Sequence, residues 1–184
     1  MDDSWVDEVL AFWFEELEPK DWFEGSDALD DTIRTRFGAL HERLAGGQVP
    51  PEVMEEPRTA LAAVIVLDQF SRNIHRRSAR AFAADDMALR IARNAVDKKF
   101  DDDMTPEERQ FLYMPFQHSE ISADQEHSVM LFKSLGDEEA IKYAVEHRDI
   151  IEKFGRFPHR NRALGRESTR EEIAFLEGHV GFGQ

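Results

Sequence analysis

The sequence contains no cysteine, is short of positive charge and shows no strand-like alternation, and each of these absences closes a class of function. Without cysteine there can be no disulfide, iron–sulfur cluster, thiolate zinc site or cysteine nucleophile. Against 38 Asp and Glu stand 23 Lys and Arg, for a formal net charge of -15. A wide basic face for phosphate backbones is therefore not expected, and nucleic acid is not expected as a partner. No apolar run approaches the ~18 residues of a membrane span. The acidic opening Met1-Asp2-Asp3-Ser4 lacks the basic and hydrophobic regions of a secretory signal. A cytoplasmic protein with no membrane partner is the expectation.

What is present is helical punctuation around a large aromatic content. The 184 residues suit one domain spanning 1–184, a size that buries roughly 70% of the unfolded surface. Fourteen Phe and three Trp supply a core. Ser4 opens a helix whose Trp5, Val6, Val9, Leu10, Trp13, Phe14 and Leu17 share a face, with Pro19 closing it and Trp22-Phe23 in a loop. Ser26 caps a second helix that ends at Gly46-Gly47. Pro57 starts a third, over 57–76, apolar on every side from Leu61 to Leu67 and so read as central and buried.

A fourth helix is predicted from about Arg80 to Phe100, followed by a loop at Asp101 to Asp103. Thr105-Pro106-Glu107-Glu108 is a strong start signal, and Pro115 should divide or bend what runs on to Leu135. Gly136 and Asp137 separate that from a helix ending at Phe154-Gly155. Ser168 with Glu171 reads as a capping box for the last helix, and glycines 178, 181 and 183 fray the tail. Seven or eight helices in antiparallel pairs make an all-α domain, with no sequence repeat visible at the ~34-residue period of helical-repeat proteins.

Chemistry-bearing residues gather in three segments. On the third helix Asp68 and Arg72 stand four apart on a strip continuing the buried face, and Arg72, Arg76, Arg77, Arg80 and His75 form a local basic patch. After Pro115, His118, Ser122 and Gln125 fall on one side, while Glu120, Asp124 and His127 fall on the other. That second set has donor chemistry for a divalent metal, but no second Glu-x-x-His copy accompanies it, so a solvated acidic face is the expected role and no metal or cofactor is predicted. From 147 to 161 the chain packs His147, Arg148, Asp149, Arg156, His159, Arg160 and Asn161 together. His147 lies in an apolar stripe and reads as a core histidine satisfied by one hydrogen bond. Asp149 is turned away from it, so the His-Arg-Asp string is neither a dyad nor, without a Gly-rich loop and lysine strand, a kinase loop. The arginines suit capture of a carboxylate or phosphate, or else tie the loop to the protein's own acids.

Three strings carry a resemblance: Leu-Asp-Gln-Phe-Ser-Arg-Asn at 67–73, Phe-Leu-Tyr-Met-Pro-Phe-Gln-His-Ser-Glu at 111–120, and the stretch 147–161. With Phe12-Trp13-Phe14, Trp22-Phe23 and Leu164 to Thr169, they resemble the hallmarks of the bacterial domain of unknown function 924 family over nearly the whole chain. Ser71 stands where that family's string usually reads proline. The resemblance implies a TPR-like fold of antiparallel helices stacked in a right-handed superhelix, and it implies no activity. Fold kinship alone assigns no ligand.

Three functions follow as expectations. The first is a binding module whose Arg/His-lined cleft, built from Arg72, Arg76, Arg156, Arg160 and the histidines, takes a small anionic ligand or an acidic peptide. The second is a hydrolase-like enzyme, with or without a metal, using His118, His147 or His159 as acid or base. The third is a purely structural or interaction role. Convergence of the segments on one open hollow separates the first two from the last.

Overall fold

The computed structural model describes residues 4–179 and 181. The opening residues 1–3 and Gly183, on which the signal and tail expectations partly rest, lie outside them. Among the described residues every regular element is helical, as the absence of alternation predicted. None of the helices is long and apolar enough to cross a membrane.

The first rod is α1 (Ser4–Ala11) continued by a π-helical turn, Phe12–Glu16. Pro19 does not end it. Leu17 is already extended, and Pro19 instead opens a short helix, α2 (Pro19–Phe23), where its missing N–H costs nothing. Glu18 and Asp21 cap α2 reciprocally, so Trp22 and Phe23 are helical rather than in a loop. Then come α3 (Asp27–Ala45), capped by Ser26, and a central rod over residues 57–74. That rod is α4 (Pro57–Val64), a second π-helical turn at Ile65–Phe70, and α5 (Ser71–Ile74).

Residues 59–71 are buried without a break, so this rod is the spine, with α1, α3, α6 and α7 packed round it. The helix predicted from Arg80 to Phe100 is shorter. A 3₁₀ turn at Ala79–Phe82 precedes α6 (Asp85–Asp97), and a second, Phe100–Asp103, replaces the expected loop. Lys99 is the break between them, in a left-handed conformation no helix continues through.

The other half is a run of antiparallel neighbours: α7 (Pro106–Gln117), α8 (Ser122–Leu135) and α9 (Glu138–Phe154), each against the next across a short turn. Thr105 and Glu108 form the predicted box. Pro115 lies inside the last turn of α7 and the helix ends two residues later, leaving two helices where one or two were expected. Gly136 and Gly155 end α8 and α9 with positive φ, and Asp137 Oδ1 accepts from the amides of Glu139 and Ala140. The last helix, α10 (Arg170–Gly178), is capped one residue later than predicted, by Thr169 with Glu172.

Aromatic rings lock the two halves together. Trp13 meets Phe70 and Phe111 edge-on at 5.6 and 5.3 Å, and Trp22 stands 5.1 Å from Phe111 while its Nε1–H donates to the Trp13 carbonyl at 2.8 Å. That bond places Trp22 at the edge of a hollow between the spine, α7 and α9.

Candidate functional site

The hollow has a volume of about 610 Å³, within the range of small-molecule sites. Its floor comes from the spine, where the turn Ile65–Phe70 presents Gln69 and the next turn presents Arg72 and Asn73. Gln117 and His118 at the end of α7 face them, His147 of α9 closes one side, and Trp22, Phe23, Met114, Phe132 and Tyr143 supply apolar walls. A π-helical turn in the middle of an α-helix is rare and is frequently found at functional sites.

Asp68 is fully buried beneath this floor. Burial pushes its carboxyl up, but the Arg72 guanidinium and the His118 ring outweigh that and hold it well below the usual carboxylate range. An ionised carboxylate has no proton to give. At 2.8 Å His118 Nδ1–H therefore donates to Asp68 Oδ1, which leaves the lone pair on Nε2 of a ring that lines the hollow. Burial, seconded by Arg72, pushes the His118 ring down against the pull of Asp68, so it is neutral at pH 7. Gln69 Nε2 donates to Asp68 Oδ2 at 2.6 Å and completes the shell of that carboxylate.

Arg72 is the hinge of the charge network. Its Nη1 donates to the Asp68 carbonyl at 2.8 Å and lies 3.3 Å from Asp68 Oδ1, while the two Nη atoms grip Asp85 at 3.0 and 3.1 Å. Asp85 is also 3.4 Å from Arg160, whose guanidinium lies over the rings of Phe82 and Phe157 at 4.6 and 4.7 Å. Burial pulls Arg160 down to about 10. His147 donates from Nδ1 to the Tyr143 carbonyl at 2.8 Å, the bond expected for a core histidine, and burial takes its ring down to about 3. The Arg72 Nε–H and the Gln117 Oε1, both buried at this wall, have no partner among the described residues.

Convergence is thus partial. Arg72, Arg76, His118 and His147 share the hollow, with Asp68 beneath it and Arg160 behind Asp85. The other predicted site residues are elsewhere. Arg148 pairs with its neighbour Asp149 on the surface. Arg156 grips Glu172 at 2.7 and 2.9 Å, and Asn161 donates to Ser168 and Glu172 while accepting from Arg166. His159 meets the Phe175 ring edge-on at 5.6 Å and the His179 ring at a tilt at 4.8 Å. Gln125 ties the turn before α8 by donating to the carbonyls of Gln117 and Ser119 at 2.8 and 2.6 Å.

The Glu120, Asp124 and His127 set is not a solvated face and is not drawn together. Glu120 holds Arg166 bidentately and accepts from the Phe157 amide, buried Asp124 pairs with Arg93 and Ser119, and His127 packs on the Phe116 ring. Sequence reasoning passes over Gln69 and Gln117. Both stand beside residues it singles out, and their polarity inside an apolar run is the available signal.

A family model described as a bacterial protein of unknown function (DUF924) matches residues 9–179. Among solved structures, a protein of unknown function from Agrobacterium tumefaciens aligns with a TM-score of 0.91 at 35% identity, over 97% of this chain and 100% of that one. No curated protein matches the chain.

Proposed function

The chain belongs to the bacterial DUF924 family, which carries no reaction with it, and from the geometry we propose an enzyme that uses His118, oriented by Asp68, as its acid–base group on a small molecule held in the 610 Å³ hollow. The observation that carries this is the 2.8 Å contact between a buried, ionised carboxylate and the Nδ1 of an imidazole lining that space. Such a carboxylate fixes tautomer and ring orientation and stabilises the imidazolium that forms when Nε2 takes a proton. Hydrolysis is the simplest reaction it supports. Nε2 removes a proton from water, the oxygen attacks an electrophilic carbon, and the proton passes to the leaving group.

The substrate favoured is neutral or cationic rather than the anion expected from the Arg/His-rich segments. Arg72 and Arg76 are each held bidentately by a carboxylate, Asp85 and Asp30. The lining adds Asp21, Glu107, Asp137 and Glu139. Aromatic walls and the buried amide of Gln117 suit an amphipathic molecule with an apolar body and a carbonyl or amide end.

The test is a panel of neutral and cationic esters, lactones and amides, assayed with wild type and with His118→Asn. Turnover falling by about 10²- to 10⁴-fold in the variant, with its far-UV circular dichroism intact, is the expected result. A substrate turned over equally by both proteins removes His118 from the mechanism. Panel members that raise the melting temperature without being turned over favour the binding-module reading instead.

A further inference from the structure

A second hollow, of about 220 Å³, lies on the other side of the spine between the end of α3 and the turn after α5, and is lined by His41, Glu42, His75 and Arg80. One ligand-type atom from each of His41, Glu42 and His75 lies within 4.8 Å of the other two. His41 is buried, at 3% exposure, and its bonding fixes its tautomer. Ser71 Oγ commits its proton to the Leu67 carbonyl at 2.5 Å, so at 2.7 Å it must accept from His41 Nε2–H. The lone pair of His41 is therefore on Nδ1, a buried atom with no partner among the described residues. His75 Nε2 is likewise buried without a hydrogen bond there, and the two rings stand 5.2 Å apart. Two bare imidazole nitrogens beside a carboxylate are costly to leave unsatisfied.

We propose that His41 Nδ1, His75 Nε2 and Glu42 bind one divalent zinc ion, with solvent completing the shell. Two imidazoles and a carboxylate with an open position are a common zinc donor set. The Ser71–His41 bond is the outer-shell partner that a metal-ligating histidine normally has, here a hydroxyl accepting the N–H opposite the coordinating nitrogen. The adverse element is Arg80, which donates to Glu42 Oε1 at 2.5 Å. Its side chain is 61% exposed, so the pair is one of surface groups that water can replace. Two bonds from Ser78 to the His75 carbonyl, and a left-handed Arg77 at φ 63, set the backbone that aims His75 inward.

The test uses the full chain dialysed against chelator, titrated with zinc sulfate by calorimetry and assayed for retained metal after gel filtration. One zinc per chain is expected. Ser71→Ala, which removes the positioning bond together with the hydroxyl's bond to the Leu67 carbonyl but no ligand atom, should weaken binding about 10- to 100-fold, and His75→Ala by more. Glu42→Gln, at a side chain 60% exposed, should keep the wild-type circular dichroism and weaken zinc binding as well, which keeps the test open if a variant at buried Ser71 or at His75 unfolds. His179→Ala, at the separate His159–His179–Glu146 contact, should change nothing. Absence of retained zinc overturns the assignment. So does zinc uptake that survives His75→Ala and Glu42→Gln or is lost with His179→Ala.

Discussion

Replacing Asp68 with asparagine keeps the shape of a fully buried side chain and removes its charge. In wild type, Oδ1 receives His118 Nδ1–H at 2.8 Å and faces Arg72 Nη1 at 3.3 Å, while Oδ2 receives Gln69 Nε2 at 2.6 Å. An amide can accept at only one of its two ends. Whichever way the new amide turns, a donor meets a donor, unless Gln69 also flips and gives up its contact with Met114 Sδ at 3.2 Å. Arg72, with 12% of its side chain exposed, also loses one of its two carboxylates. Breaking a buried ion pair from one side costs about 3–5 kcal/mol. For a chain of this length that is a drop in Tm of about 6–20 °C. Urea unfolding followed by far-UV circular dichroism, with wild type and variant side by side, measures it, and Arg58→Ala in the exposed Asp7 pair should leave the midpoint unchanged. A loss below ~1 kcal/mol for Asp68→Asn would mean that the network is hydrated, and the oriented His118 would lose its foundation.

Two further outcomes are expected. The Arg156 contact, helped by the Thr169 amide and opposed by burial, holds Glu172 down to about 2 from an ordinary value of 4.5. Because the folded value is the lower one, its contribution to stability is complete above pH ~4.5 and disappears as pH falls through about 2. Glu172→Gln should flatten the acid limb of stability against pH in that window, and an unchanged limb would refute the assignment. Gly155 ends α9 at φ 69 with open space where a Cβ would go. Gly155→Ala should therefore cost about 1–2 kcal/mol from left-handed backbone alone, with no second penalty from crowding; a loss of several kcal/mol would point to a clash.

Helix identity is legible wherever a terminus carries its own chemistry. Ser26, Thr105, Asp137, Gly136 and Gly155 all do in the structure what their side chains or φ preferences announce. Sequence and structure part where two neighbouring residues can do the same work, as with Thr169 and Glu172 in place of Ser168 and Glu171, and where proline begins a helix rather than ending one, as at Pro19. Of the hollow, Asp68, Arg72, Arg76, His118 and His147 are marked by type and spacing. Their meeting is not, because His118 and Asp68 are fifty positions apart. The His41–Glu42–His75 grouping leaves no mark in any local spacing, since its donors come from two different helical segments. Nor can composition say which arginines are spoken for: the acids that hold Arg156 and Arg166, Glu172 and Glu120, are set by the docking of α10 and of the turn before α8.

The wide turn at Ile65–Phe70 adds about one residue to a turn of the spine. Everything after it is rotated relative to everything before, as when a screw thread is cut with one skipped step. A single continuous rod can thereby turn its greasy side inward for its first half and offer charged groups to an opening in its second. Length in that segment is consequently a tighter constraint than the identity of its apolar residues. Swapping one apolar residue for another there changes packing, whereas losing one position would re-aim Arg72 and His75 together and uncouple both hollows from a fold that could otherwise persist.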